Sequence, residues 1–449
     1  MPEGDLVIRG GTLLDGMTTG PRDVRIHGGV IAEVSDSIAS NLGDRELDAS
    51  GSYILPGLVD LHTHLREPGY EEAEDIISGS RSAAMGGFSA IVAMPNTEPA
   101  VDCVEAVRLF QARSSQSLVE AVTSGAITVG RKGEALSPMA EMAELGVRIF
   151  TDDGNGVQDS GVMRRAMEYA SGLGVIIAEH CEDAGLARDG HMHEGRVSSR
   201  LGIPAIPSEA EELMAARDIA LARLTGAKLH LLHISTSGTV QLVERARKSG
   251  LQISCEVTPH HLSITDGAIE SFDSIFKVNP PLRSQEDLRS LRSGLLRGVI
   301  DAIATDHAPH PPEKKEVPFE EAAFGMIGLE TALPVVVAVL TGDWDIGEFD
   351  AGQGADRLEI EAALGLVVKS MSQSPAKIAG LQASQGGPVA PGRPANICVF
   401  DPEAQWVVDA RCLASRSSNS PFQGRKMVGR VRHTIAKGRL VVADVEAQL

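Results

Sequence analysis

The stretch ILPGLVDLH (54–62) reads as a buried strand: a short apolar run rich in Leu, Ile and Val, with polar residues gathered at its end. Seven further runs of the same kind follow it. They are FSAIVAMP (88–95), AITVG (126–130), GVRIF (146–150), GVIIAEH (174–180), KLHLLHI (228–234), LQISCEV (251–257) and VIDAIATD (299–306). Helical stretches alternate with them, such as SEAEELMAARDIALARLTG (208–226) and SGTVQLVERARKSG (237–250). Eight such units predict an α/β fold of the (β/α)8 TIM-type barrel class. A doubly wound open sheet is the alternative, but no GxGxxG follows the first strand and the count of eight favours closure.

Outward from this centre, both ends of the chain are rich in short strands. DLVIRGG, DVRIHGG and VIAEVSD lie near the start; NICVFD, WVVDA, VRHTIAKG and RLVVAD lie near the end. So few residues of short strand bury little surface alone, so the two ends are expected to pair into one small β-sandwich domain. The expected division is residues 1–55 and 385–449 for that domain and 56–384 for the barrel.

The composition narrows the class. The hydrophobic fraction of 43% supports a large core, while aromatics at 3% leave most of its volume to Leu, Ile, Val, Ala and Met. Lys and Arg total 41 against 61 Asp and Glu, a net charge of −20, which disfavours a backbone-tracking nucleic-acid binder. An anionic substrate would need locally placed cations. The cysteines Cys103, Cys181, Cys255, Cys398 and Cys412 are odd in number and lack CxxC spacing, as expected of reduced thiols. The start shows no signal-peptide pattern and no apolar run reaches ~18 residues, so the expected compartment is the cytoplasm, with no membrane span.

In a barrel of this class, chemistry sits at the C-terminal ends of the strands. The first strand ends in Asp60-Leu-His62-Thr-His64, and alternate residues share a face, so His62 and His64 can bind one ion together. The fourth strand runs into Asp152 and Asp153, the fifth ends at His180, the sixth carries His233 and the eighth ends at Asp306. A lone histidine at a strand end is usually just hydrogen-bonded. Four histidines, Asp306 and one of the Asp152–Asp153 pair, six suitable residues on five convergent ends, instead make a nitrogen-and-oxygen site fit for Zn2+ or a similar ion. His230, three residues before His233, is expected on the opposite face; His260 and His261 read as structural.

These residues sit in segments that carry a resemblance. PGLVDLHTHLREPG (56–69), AMPNTEPAVD (93–102), FTDDG (150–154), AEHCED (178–183) and LLHIST (231–236) resemble the dihydroorotase branch of the amidohydrolase superfamily. So do TPHHL (258–262), KVNPPLR (277–283), ATDHAPH (304–310), FGMIGLETALP (324–334), SPAKIAGL (374–381) and GRPANICVFDPE (392–403). The resemblance runs through nearly the whole chain, and HLREPG and DHAPH are specific to dihydroorotases.

The resemblance implies a barrel with one or two zinc ions. It implies reversible hydrolysis of dihydroorotate to N-carbamoyl-aspartate by a metal-activated water, in pyrimidine biosynthesis. His62, His64 and Asp306 would hold the first ion, and His180 and His233 the second. Many relatives bridge the two with a carboxylated lysine. No Lys lies near the end of the fourth strand here, and the match to bacterial class I dihydroorotases places Asp153 in the bridge, with Asp152 the alternative. Asp306 would also move the proton to the leaving nitrogen. Arg66 is expected to clamp the substrate carboxylate, against the alternative of a surface pair with Glu67 or Glu71. The family pattern adds Asn96 and His310 as carboxylate partners and Asn279 against the ring. Asn396, where the family often has Asp, lies away from this chemistry.

Residues 308–325 form a long Pro- and Glu-rich connection, either a lid or a plain surface excursion, with the lid favoured. The implied partners are the small-molecule substrate, a second copy as homodimer, and aspartate transcarbamoylase. Two other readings stand beside the first: another cyclic amidohydrolase (dihydropyrimidinase or allantoinase), and a non-catalytic scaffold for aspartate transcarbamoylase. Against the second, no expected metal ligand is missing.

Overall fold

A computed structural model describes residues 5–343 and 357–448. Eight parallel strands form the centre: Leu58–Thr63, Phe88–Ala93, Glu120–Thr123, Ile149–Phe150, Ile176–Glu179, Lys228–Leu231, Ile253–Val257 and Ala302–Ile303. Two arcs, of three and five strands, are joined by parallel bridges between Gly125 and Phe150 and between Thr63 and His307, which close the ring. Each strand is followed by a principal helix, from Ile76–Met85 after the first to Ala332–Thr341 after the last.

Local chemistry sets the ends of these helices. Asp75, Asp159, Thr236 and Ser284 each accept a hydrogen bond from a backbone N–H of the first turn, a cap worth ~1 kcal/mol. Gly174 and Gly226 end two helices at φ 71° and 70°, where a side chain would be strained.

The third strand differs from expectation. It is Glu120–Thr123, and residues 126–130 form a turn instead. The backbone N–H groups of Ile127 and Thr128 donate to the Asp152 carboxylate rather than to a neighbouring strand. An apolar run was therefore not enough to mark a strand, because a buried side chain took its hydrogen bonds.

Between strands and helices the core is mainly aliphatic and sulfur-containing, as the scarcity of aromatics requires; Met139, Met142, Met163, Met167 and Met214 fill it beside Phe88 and Phe150. Inside the ring, Leu61, Val92, Ile149, Ala178, Ala302 and Ala304 from opposite strands form their own cluster with Ala379. Alanines beside larger residues suit this narrow interior.

The two ends of the chain share one nine-stranded sheet. Tyr53–Pro56 pairs antiparallel with Ile397–Val407, which joins the N-terminal strands to the C-terminal ones. Ile8, Leu13, Val24, Ile54, Ile397, Val399 and Ile435, drawn from both halves, form its core. Strand Tyr53–Pro56 runs through Gly57 directly into the first barrel strand. A Cβ on Gly57 would lie 2.2 Å from Ser89 Oγ, so this junction admits only glycine without a shift. Asn396 sits in this sheet region, donating to Ser384 O and accepting from Lys437 N.

Candidate active site

At the C-terminal mouth of the ring, His62, His64, Asp153, His180, His233 and Asp306 converge, all buried. Their arrival depends on the backbone just past the strand ends. His233 lies two residues beyond Lys228–Leu231 at φ 31°, and Asp306 three beyond Ala302–Ile303 at φ 47°. Arg66 has φ 61°. Left-handed conformations at non-glycine residues cost ~1–3 kcal/mol each, so the chain carries local strain where it turns these side chains inward.

Asp153 is the centre of the group. Its Oδ1 lies 3.5 Å from His62 Nε2, 3.7 Å from His180 Nδ1 and 3.6 Å from His233 Nε2; Oδ2 lies 3.8 Å from His64 Nε2. Asp306 Oδ1 faces His64 Nε2 at 3.0 Å and His62 Nε2 at 3.6 Å. Two overlapping groups are thus able to hold a metal ion: His62, His64 and Asp153, and Asp153, His180 and His233, with ligand atoms within 4.8 Å of one another. Burial pushes the Asp153 carboxyl up, but the surrounding histidines outweigh it and hold it well below the usual range. The same balance, with His64 foremost among the histidines, keeps Asp306 low.

The fit to a cation has a direct sign. His62 Nε2 is buried without a hydrogen-bond partner, facing two carboxylates. A buried, unpaired nitrogen costs free energy unless something binds it. Four imidazoles and two carboxylates are the donor set that suits zinc or a similar divalent ion.

Asp152 points elsewhere. It accepts from Ile127 N at 2.8 Å, Thr128 N at 3.0 Å and the Thr128 hydroxyl, which ties down the turn after the third strand.

The other expected site residues ring this centre. Asn96 Oδ1 meets His64 Nδ1 at 3.0 Å and its Nδ2 donates to Asp153 Oδ2 at 3.2 Å. Asn279 Nδ2 lies 3.5 Å from His180 Nε2. Arg66 donates from Nε to Pro309 O at 3.2 Å, with Nη2 3.3 Å from His310 Nε2. Glu67 and Glu71 pair with Arg113, at 2.6 and 3.5 Å, so the surface pair weighed for Arg66 is not formed. Burial moves Arg66 down to about 10; burial and then Arg66 move His310 down to about 3, which leaves that imidazole neutral. His310 Nε2 also meets Phe324 O at 2.7 Å. The 308–325 connection is packed down here: Lys315 Nζ donates to Lys277 O and Ala323 O, and Lys277 Nζ donates to Glu320 O. Beside His310 opens a cleft of about 1150 Å³.

Two residues were set aside or unmentioned in the sequence reading. Glu256 Oε1 meets His62 Nδ1 at 2.9 Å, and its Oε2 meets His230 Nε2 at 3.0 Å. His230 is therefore joined to the site through Glu256, not turned away from it; His233 lies past the strand end, so strand alternation does not relate the two. A carboxylate within the apolar strand LQISCEV (251–257) is the signal available in the sequence. His261 is structural as read, held by Thr258 Oγ1 and Pro280 O.

Comparison with known proteins agrees with this architecture. The family model described as "Dihydro-orotase-like" matches residues 51–239. The chain is 43% identical over 441 residues to a dihydroorotase of Pelotomaculum thermopropionicum, covering 98% of this chain and 99% of that protein. It is 42% identical to one of Anaeromyxobacter dehalogenans, covering 98% and 99%. Among solved structures, an L-hydantoinase (dihydropyrimidinase) from Arthrobacter aurescens superposes with a TM-score of 0.86 at 24% identity, covering 99% of this chain and 98% of that one. A dihydropyrimidinase from Brevibacillus agri gives 0.82 at 22% identity, covering 99% and 96%. At such low identity these structures speak to the fold: a TIM barrel beside a separate sheet. No helix among the described residues is long and apolar enough to cross a membrane. With relatives of one name above 40% identity across almost their full length, the chain belongs to the dihydroorotase family.

Proposed function

We propose that this protein is a zinc-dependent dihydroorotase of the bacterial class I type, which interconverts dihydroorotate and N-carbamoyl-aspartate in pyrimidine biosynthesis. The observation that carries this reading is the Asp153 carboxylate shared between two groups of histidines, with Arg66 and His310 at its rim. His62, His64 and Asp306 would hold one ion and His180 and His233 a second, with Asp153 available to both; one or two ions would be bound. A divalent ion held there supplies a water of lowered pKa and a Lewis acid for the scissile carbonyl.

The chain's own residues do the rest. Amide nitrogen is a poor leaving group until protonated. The Asp306 carboxylate, ionised at neutral pH, takes the proton from the attacking water and delivers it to that nitrogen. Arg66 presents a planar fork to the substrate carboxylate, and its charge locally offsets the acidic field of the chain. Neutral His310 and Asn96 complete the carboxylate pocket, and Asn279 orients the ring.

The same proposal covers the wider organisation. Residues 1–55 and 385–449 make the β domain and 56–384 the barrel, supported by the pairing of Tyr53–Pro56 with Ile397–Val407. The 308–325 connection acts as a lid. The protein works in the cytoplasm, as a homodimer, with aspartate transcarbamoylase as its candidate protein partner.

The test is a steady-state assay of the purified protein on dihydroorotate, hydantoin and allantoin, with metal analysis of the same sample. Turnover of dihydroorotate alone, with zinc bound, is expected. Preference for hydantoin or allantoin, or zinc-free turnover, refutes it.

A further inference from the structure

We propose that Glu256, backed by His230, is a positioning residue for His62, fixing the tautomer and orientation in which that ring meets the metal. The proposal rests on the functional reading above, in which His62 is a ligand.

Three hydrogen bonds carry it. His62 Nδ1 meets Glu256 Oε1 at 2.9 Å, Glu256 Oε2 meets His230 Nε2 at 3.0 Å, and His230 Nδ1 meets Ser254 Oγ at 2.8 Å. An ionised carboxylate only accepts, so both ring nitrogens facing Glu256 carry protons. That leaves the lone pair of His62 on Nε2, the atom that faces Asp153 and Asp306 without a hydrogen-bond partner. It leaves His230 Nδ1 to accept from the Ser254 hydroxyl. With both imidazoles neutral, as a metal-bound His62 requires, this assigns the protons along the three hydrogen bonds. His62, Glu256 and His230 are fully buried, so no water competes for these bonds.

The device spans three barrel strands. His230 pairs with Ser254 across the sixth and seventh, and Glu256, two residues on, reaches across the ring to the first. The other ligand histidines have weaker backing. His64 Nδ1 meets an amide oxygen of Asn96, His180 Nε2 faces the Asn279 amide nitrogen at 3.5 Å, and buried His233 Nδ1 has no hydrogen-bond partner. A carboxylate behind a ligand imidazole fixes the ring and raises its basicity; its removal costs ~10–100-fold in metal affinity.

The experiment measures the zinc dissociation constant by competition with a chromophoric chelator, on the full chain, for the parent, Glu256→Leu, Glu256→Gln and His62→Ala. Melting of each metal-free protein checks the fold. Glu256→Leu is expected to weaken zinc binding by ~10–100-fold. Glu256→Gln should recover part of that loss, since its amide oxygen still accepts from His62 Nδ1–H. Parent-like affinity in Glu256→Leu, or a Gln variant no better than Leu, overturns the proposal. Should Glu256→Leu not fold, His230→Phe gives the same readout: a smaller weakening supports the role and unchanged affinity overturns it. If His62→Ala binds zinc like the parent, the functional reading itself fails. If His62→Ala loses zinc while Glu256→Leu keeps it, only the positioning role falls.

Discussion

Replacing Arg66 with lysine keeps the positive charge and removes the fork. In the structure Nε is taken by Pro309 O at 3.2 Å, which fixes the plane of the guanidinium; Nη2 also lies 3.3 Å from His310 Nε2, and the remaining N–H groups of the terminal nitrogens are left for a carboxylate. The nearest acidic residues in sequence, Glu67 and Glu71, are engaged by Arg113, so Arg66 has no need to move to meet substrate. Lysine tolerates the φ of 61° no better and no worse than arginine, so the backbone is not the variable. An ammonium cannot keep the Pro309 bond and also supply two parallel donors. One lost charge-assisted hydrogen bond is worth ~1.5–3 kcal/mol, so kcat/KM for dihydroorotate should fall by roughly 10- to 150-fold. Zinc content should stay constant, because Arg66 is not among the ligands. Steady-state kinetics with zinc measured on the same sample provides both numbers. An unchanged kcat/KM would show that the carboxylate is held elsewhere, and loss of zinc would show that Arg66 acts on the metal centre instead.

Asp306→Asn should leave the fold intact and lower turnover by ~10²–10⁴-fold, the usual contribution of a general base; near-normal kcat in single-turnover assays removes the proton role. The two adjacent aspartates should separate cleanly. Asp153→Ala should abolish tight zinc binding. Asp152→Ala should keep zinc stoichiometry but lower unfolding stability by ~1.5–3 kcal/mol or more, since it strands the Ile127 and Thr128 donors; the reverse pattern in chelator competition and urea melts would reassign them. His193 is buried, accepts from Arg283 at its Nδ1, and is moved down to about 4 by burial and then by Arg283. Its folded pKa lies below the unfolded value of ~6.5, so the unfolded chain binds the proton first and stability is lost as pH falls below ~6.5. Between pH 7 and 5 the parent should lose ~2 kcal/mol more than His193→Gln in urea unfolding, and equal losses would refute the assignment.

Much of this was open to reading along the chain because it rests on local rules. Eight short apolar runs spaced by helical patterns imply a closed parallel barrel, and strand alternation brings His62 and His64 together without any knowledge of distant contacts. The terminal strands were legible because each half alone buries too little to stand. The errors fall where a distant residue competes for local groups. AITVG (126–130) has the composition of a strand, yet its Ile127 and Thr128 N–H groups go to Asp152, 25 and 24 residues on. The actual strand, Glu120–Thr123, carries less apolar character and hid beside it.

Residue types and spacing by themselves determined the fold class, the set of candidate ligands and the nitrogen-and-oxygen character of the centre, since these follow from periodicity and from the side chains' own chemistry. Which of Asp152 and Asp153 faces the histidines was decided by tertiary contacts, because strand parity lapses at a two-residue strand and both carboxylates are buried. The strained turns at Arg66, His233 and Asp306 likewise exist only because the packed ring holds them against their own backbone preference. The link from His62 through Glu256 to His230 joins residues 194 and 26 positions apart. No local pattern encodes such a contact; it arises when closure of the barrel brings the first strand within reach of the seventh.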